Sequence, residues 1–343
     1  MEISTFGAVS NHAAARGTPL ALRLIVSECM GEVMPINAKR TIVGAALAIL
    51  FGGGLASPSN AIPLDQIQGP VEFKFFAGST GQNTVGGPCA IGGGCENTWL
   101  GSTLTQIVDS NTLLPVFNQG EGGQYLAAML YGVSDISITG SAPNFNIYSA
   151  GATAAGTGGV GNGRIYIDVY LRNAPPDLSG GPADRTGYNT YTGISDGASL
   201  WLRVELTEGI AVDDPTTIGV DESQATLFQT ATSATNPASG EGTFYGNVVG
   251  GSAQAQFDGN GFLIPNTGAF ADMFGIFDFR ENNTSGGIPG CTSSTGAVNV
   301  QPGCWENFVS DPIRALAVPE PETIGLTGMA LLLMAAAHRR RRR

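Results

Sequence analysis

Residues Arg164–Arg172 read RIYIDVYLR, and this stretch decides the fold class. Ile165, Ile167, Val169 and Leu171 alternate with Tyr166, Asp168, Tyr170 and Arg172. A period of two belongs to a strand with one face on a core and the other toward solvent. Its β-branched and aromatic residues suit a pleated surface better than a helix. Ser199–Ile210 (SLWLRVELTEGI) repeats the alternation. The pattern places Leu200, Leu202, Val204 and Leu206 inward and Trp201 on the polar face.

Working outward, Val71–Phe76, Thr98–Asp109, Ser134–Thr139, Phe145–Ser149, Ala225–Thr232, Gly242–Val249, Ala253–Phe257 and Phe274–Arg280 are further strand candidates. Periodicity leaves Gln124–Val133 (QYLAAMLYGV) open between helix and strand. Gly78–Gly94, Gly151–Gly163 and Ala174–Gly197 read as long Gly/Pro-rich loops, and Asp311-Pro312 as a turn. About nine short strands, long turns and no persuasive helix predict an all-β body, a β-sandwich or jelly roll in one domain.

The chain has 50 glycines in 343 residues and an apolar share of 42%, placed too regularly for wholesale disorder. Between Ile62 and Ala317 stand seven Lys/Arg and 23 Asp/Glu, a net charge of −16 against −12 for the whole chain. That balance disfavours nucleic acid and anionic membrane surfaces as partners. The two histidines, His12 and His338, lie outside this stretch, and Lys74 is its one lysine. Ser-His-Asp and Cys-His catalysis, His-ligated metals and Schiff bases are thereby disfavoured, and we expect no catalytic residue. A carboxylate pair remains, Asp168 and Glu205 on neighbouring strands, both on faces expected to be solvated. Tyr166, Tyr170 and Trp201 beside those acids could stack on sugar rings, although cross-strand packing is their commoner role. Asp213-Asp214, Asp221-Glu222 and Asp258-Gly259-Asn260 are where a structural calcium would bind. Ala269 stands where an EF-hand beginning at Asp258 needs glutamate, so ordinary Asx turns explain most of these residues. No other metal or cofactor is expected.

The two ends carry addresses. Lys39-Arg40, the apolar Thr41–Leu55 and the small residues Ser59-Asn60-Ala61 form an export signal with cleavage after Ala61. Residues 34–61 are then the signal peptide, handled by the export translocon, with Met34 as a natural start. Residues 1–33 are a leader or an over-extended start. At the other end come Val318, Pro319, Glu320 and Pro321, an uncharged run Ile324–Ala337, and Arg339, Arg340, Arg341, Arg342 and Arg343. As a helix the run covers roughly 21 Å, short of the ~30 Å hydrocarbon core. Thinning of the bilayer and snorkelling arginines close part of the gap, with the arginines held on the cytoplasmic side.

This ordered trio resembles the PEP-CTERM sorting signal of Gram-negative bacteria, over residues 318–343 only. The resemblance implies recognition by exosortase, a membrane-embedded cysteine protease-transpeptidase, in a bacterium that makes exopolysaccharide. It also implies that the tail is removed and that the inner membrane holds the chain only transiently. QYLAAMLYGVSD at Gln124–Asp135, followed by a Tyr-rich strand, is similar to flocculation-associated PEP-CTERM proteins. Four cysteines, Cys89, Cys95, Cys291 and Cys304, then stand in an oxidising compartment and should form disulfides. Of three pairings we favour Cys89–Cys95 and Cys291–Cys304, each closing a short loop; the spacings are not those of a zinc ribbon. The Gly-rich β domain 62–317 is thus expected at the cell surface or in the extracellular matrix, acting in adhesion, flocculation or biofilm. A carbohydrate-binding module for the cell's own exopolysaccharide is the alternative, and an acid-pair glycosidase the third reading.

Overall fold

The computed structural model describes residues 63–67, 70–81, 92–141, 144–153, 155–156, 159–233, 239–281, 305 and 307–317. All lie within Asn60–Arg343, one of two units into which the chain divides. Residues 34–61, expected as a signal segment, and the apolar run 324–337 fall outside them. Among the described residues, no helix is long and apolar enough to cross a membrane.

The body is all-β, as the alternation in RIYIDVYLR predicts. One eleven-stranded antiparallel sheet dominates it. Its strands are β1 (Val71–Gly81), β2 (Thr98–Asp109), β3 (Pro115–Asn118), β4 (Tyr125–Ser141), β5 (Asn144–Gly151) and β6 (Tyr166–Arg172). They continue with β7 (Ser199–Leu206), β8 (Leu227–Ser233), β9 (Ser239–Gly250), β10 (Met273–Glu281) and β11 (Asn307–Ala317). The order is β7-β6-β4-β5-β8-β9-β10-β11-β1-β2-β3, with added pairings β7–β9 and β4–β2.

Those added pairings close the sheet on itself. β1, β2, β4, β6, β7, β9, β10 and β11 form a continuous ring of eight strands. The first half of β4 pairs with β2 and β6, and its second half with β5. The first half of β9 likewise pairs with β8, and its end with β7. The ring is therefore closed twice, by β6–β7 toward one end and by β5–β8 toward the other. QYLAAMLYGV, ambiguous by periodicity, lies mostly in β4 because both edges of that segment are occupied. Closure leaves few strand edges open to other chains.

Alternate residues fill the interior. Phe73, Leu104, Leu126, Val169, Val204 and Phe244 belong to one buried cluster. On β9 and β10 large and small residues interlock, since Gly242 lies opposite Phe277 and Phe244 opposite Gly275. A methyl on Gly242 would overlap the Phe277 ring, and one on Gly275 the Phe244 ring. Phe73, Phe75, Leu130, Val169 and Phe277 border an apolar cavity of about 30 Å³. Apart from Ser102, the side chains that line it are apolar. Phe73, Trp201 and Phe257 pack edge to face, with ring centroids 5.3–6.2 Å apart.

Several sequence readings are corrected. The main sheet has eleven strands rather than about nine, because β3 and β11, absent from the strand candidates, also pair. Ala253–Phe257 is no strand: Gln254–Phe257 forms one helical turn whose Phe257 is buried. Asp311-Pro312 is no turn but lies inside β11. The register against β1 shifts between Phe75 and Ala77, and such an irregularity accommodates a proline that cannot donate to the ladder. Trp201 is not on the polar face. The register of β7 against β6 shifts between Leu200 and Leu202, and Trp201 turns into the core at 2% exposure.

The glycine–phenylalanine interlock yields a test. Gly275→Ala should destabilise the protein by about 1–3 kcal/mol, the usual cost of overpacking a core. A urea midpoint measures it, and Phe244→Leu in the same chain should recover part of the loss.

Candidate functional site

Alternation places Ala127, Met129 and Tyr131 of β4, and Tyr166, Asp168 and Tyr170 of β6, on the outer face of the ring. Water does not reach most of that face. The segment 173–198, expected as a loop over Ala174–Gly197, folds back over it, with a 3₁₀ turn at Gly181–Asp184 and a ribbon pairing Arg185–Gly187 with Thr190–Tyr191. Leu178, Tyr191 and Ile194 join Trp99, Met129, Tyr131, Tyr170 and Trp305 in a second buried cluster. The Trp99 and Trp305 ring centroids are 5.2 Å apart, and the Trp305 indole N–H donates to the Leu178 carbonyl at 3.0 Å.

A buried ion pair clips this cover to the ring. The side chains of Arg185 and Glu96 are 3% and 1% exposed. Arg185 Nη1 donates to Glu96 Oε2 at 2.7 Å and Nη2 to Oε1 at 3.0 Å. The Gly132 N–H donates to the same carboxylate at 2.7 Å, and the guanidinium lies 4.6 Å from the Trp99 ring centroid. Burial raises the Glu96 carboxyl, while Arg185 and the Gly132 amide pull it back.

Beside the clip lies Asp168, fully buried. Arg203 grips it from β7, Nε to Oδ1 at 2.6 Å and Nη2 to Oδ2 at 2.7 Å. The Tyr131 hydroxyl donates to Oδ2 at 2.9 Å. The Tyr170 hydroxyl lies 3.1 Å from Oδ2 and 2.9 Å from the Asn189 carbonyl. Desolvation and the Asp168 charge hold both tyrosines well above the ordinary phenol range, so they stay protonated. At the rim, Arg164 pairs with Glu205.

Asp168 and Glu205 do come from adjacent strands, as the sequence predicts. The solvated face assigned to Asp168 is corrected: the 173–198 cover buries it. Each acid also has its own guanidinium, and both Asp168 oxygens are occupied. The set counted for sugar stacking changes too, since Tyr170 and Trp201 are buried and Tyr166 packs against Tyr131. Tyr245 and Phe274, 5.0 Å apart on β9 and β10, are instead half-exposed. Sequence reasoning missed Arg185 and Glu96. The clue was scarcity: Arg185 is one of only seven cations in an acidic body, and it stands in a presumed loop.

The acidic loops serve as turn acceptors. Asp221 Oδ1 accepts from the Ser223 N–H at 3.0 Å, and Asp214 Oδ1 from Thr216 at 2.9 Å. Glu222 is buried and accepts from the Asp214 N–H at 3.1 Å and the Ser137 hydroxyl at 3.3 Å. Asp272 ties the Val248, Gly259 and Asn260 amides together at 2.6–2.9 Å. Among the described residues, no group of three or more His, Cys, Asp or Glu side chains is placed to hold a metal ion. Cys95 is buried and disulfide-bonded. Cys89, Cys291, Cys304, Ala61, Val318, Pro319, Glu320, Pro321 and Arg339 to Arg343 lie outside the described residues. No family model, curated protein or solved structure matches the chain.

Two measurements probe this network. Arg203→Met leaves the buried Asp168 without its cation and should cost about 3–5 kcal/mol. Asp168→Asn added to that variant should recover much of the loss, as a double-mutant cycle in denaturant would show. Asp135, also buried, accepts from the Ser149 hydroxyl at 2.7 Å. Burial raises its carboxyl, opposed by Ser149 and Asn97. The native state therefore holds this proton more tightly than the unfolded chain does. The associated stability is complete below the unfolded value near 4 and is lost as pH rises through the native value. Asp135→Asn should stabilise the protein at pH 7 by about 1–3 kcal/mol and flatten that part of the pH profile.

Proposed function

We propose that this is a non-enzymatic surface or matrix protein, exported by its N-terminal signal and processed by exosortase at its C-terminal tail. It acts at the cell surface or in the extracellular matrix, in exopolysaccharide-associated adhesion, flocculation or biofilm cohesion. Its partners are the export translocon, exosortase, the inner membrane for a limited time, and exopolysaccharide. Nucleic acid is not among them.

One observation carries this reading. Directly after Ala317, the last residue of β11, the sequence presents Val318-Pro319-Glu320-Pro321, then Ile324–Ala337, then Arg339–Arg343. A folded ring, a short recognition segment, an apolar stop and a cationic end are the parts a membrane-embedded processing enzyme needs, in that order. The buried disulfide-bonded Cys95 supports an oxidising destination. The body's charge of −16 supports a soluble life outside the cell.

Mass spectrometry of the mature protein should detect no peptide beyond Ala337. Recovery of an intact Arg339–Arg343 end from the secreted fraction would refute tail removal. Replacing Pro319-Glu320-Pro321 by alanines should leave the full chain in the inner-membrane fraction.

A further inference from the structure

The turn between β2 and β3 spends local energy on an apolar tip. Leu113 adopts φ 58°, a left-handed conformation disfavoured for a side chain of this kind. It is 69% exposed, and its neighbour Leu114 is 64% exposed. Asp109 fixes the turn. Its Oδ1 accepts from the Asn111 N–H at 2.9 Å, the Thr112 N–H at 2.7 Å and the Thr112 hydroxyl at 3.1 Å. Its backbone binds both leucines, with Leu113 N–H to Asp109 O at 2.8 Å and Asp109 N–H to Leu114 O at 2.9 Å. Asparagine or glycine would suit this backbone better, and neither leucine packs in a buried cluster. Turn geometry and core packing therefore leave the two side chains unexplained.

Their position supplies a reason. Val71 pairs with Asp109 on one side and with Ala317 on the other. The base of the tip thus sits two strands from the residue where the tail leaves the ring, about 10 Å at ordinary strand spacing. Six residues, Val318–Thr323, separate Ala317 from the apolar run. Fully extended they reach at most about 20 Å. A ring tethered on so short a leash keeps this end against the bilayer.

We propose that Leu113 and Leu114 rest in the outer surface of the bilayer while the tail is still attached, giving the domain a second point of membrane contact. This rests on the reading of residues 318–343 as a membrane-held sorting signal. With two contacts the ring cannot swivel freely about its tether, and Val318–Pro321 is held at the membrane surface where its protease works. The contact is apolar, since a body of net charge −16 is repelled by anionic lipid.

The test uses residues 62–343, the chain that remains once the export signal is cleaved after Ala61. An environment-sensitive dye is placed through Leu114→Cys, or through Ile138→Cys near the far end of β4 as a control. The chain is reconstituted into vesicles of phosphatidylethanolamine and phosphatidylglycerol. The dye at 114 should shift to the blue and be quenched by lipids carrying a quencher near the headgroup, while the dye at 138 should stay water-like. Water-like emission at 114 in chains that float with the vesicles overturns the proposal and leaves the tail reading standing. Chains that do not float overturn both. A blue shift at 114 that grows with protein concentration at fixed lipid assigns the tip to a second copy and overturns the proposal. In cells, Leu113→Asn with Leu114→Ser should slow tail removal several-fold without lowering the thermal midpoint, because asparagine tolerates the left-handed turn; unchanged processing overturns the presenting role.

Discussion

Backbone pairing between Arg203–Leu206 and Gly246–Gly250 is the constraint on which the body depends. Without it β7 would be a free edge and the ring would close only through β5 and β8. With it, the inner faces of eight strands confront one another and exclude water. The glycine–phenylalanine pairs on β9 and β10 follow from this confinement, because a closed interior must be filled to close packing by residues of very unequal size. The second closure, through β5 and β8, is possible because β4 is 17 residues long and can change partners midway.

The closed ring also decides where polar groups settle. Its inner face accepts apolar side chains almost without exception, so the charges of β6 and β7 go to the outer face. There the 173–198 cover excludes water a second time, and each buried acid needs a cation or a set of donors. Asp168 has Arg203, Glu96 has Arg185, and Asp272 has backbone amides. In a body with seven cations against 23 acids, four of the seven guanidinium or ammonium groups, those of Arg164, Arg172, Arg185 and Arg203, are committed to this one side.

Strand existence was legible in the sequence wherever alternation ran unbroken, as in Arg164–Arg172. It failed at register shifts. One shift between Leu200 and Leu202 moves Trp201 from the face that a strict period of two assigns it to the opposite one. Alternation says which residues share a face, but not whether another segment covers that face. Asp168 and Tyr170 therefore read as solvated although both are buried. The cover itself was hidden because Pro, Gly and Asp dominate Ala174–Gly197, and its fixing contacts are single side chains reaching far along the chain. Glu96 and Arg185 are 89 residues apart, and no local pattern joins them.

The pairing of β1 with β11 carries a consequence for synthesis. The first and last strands of the body are neighbours, so the ring lacks one of its staves until residues 307–317 have been made. Contacts between the most distant parts of a chain form slowly, since loop closure must precede them. A nascent chain of this kind cannot complete its ring until that final strand has been made.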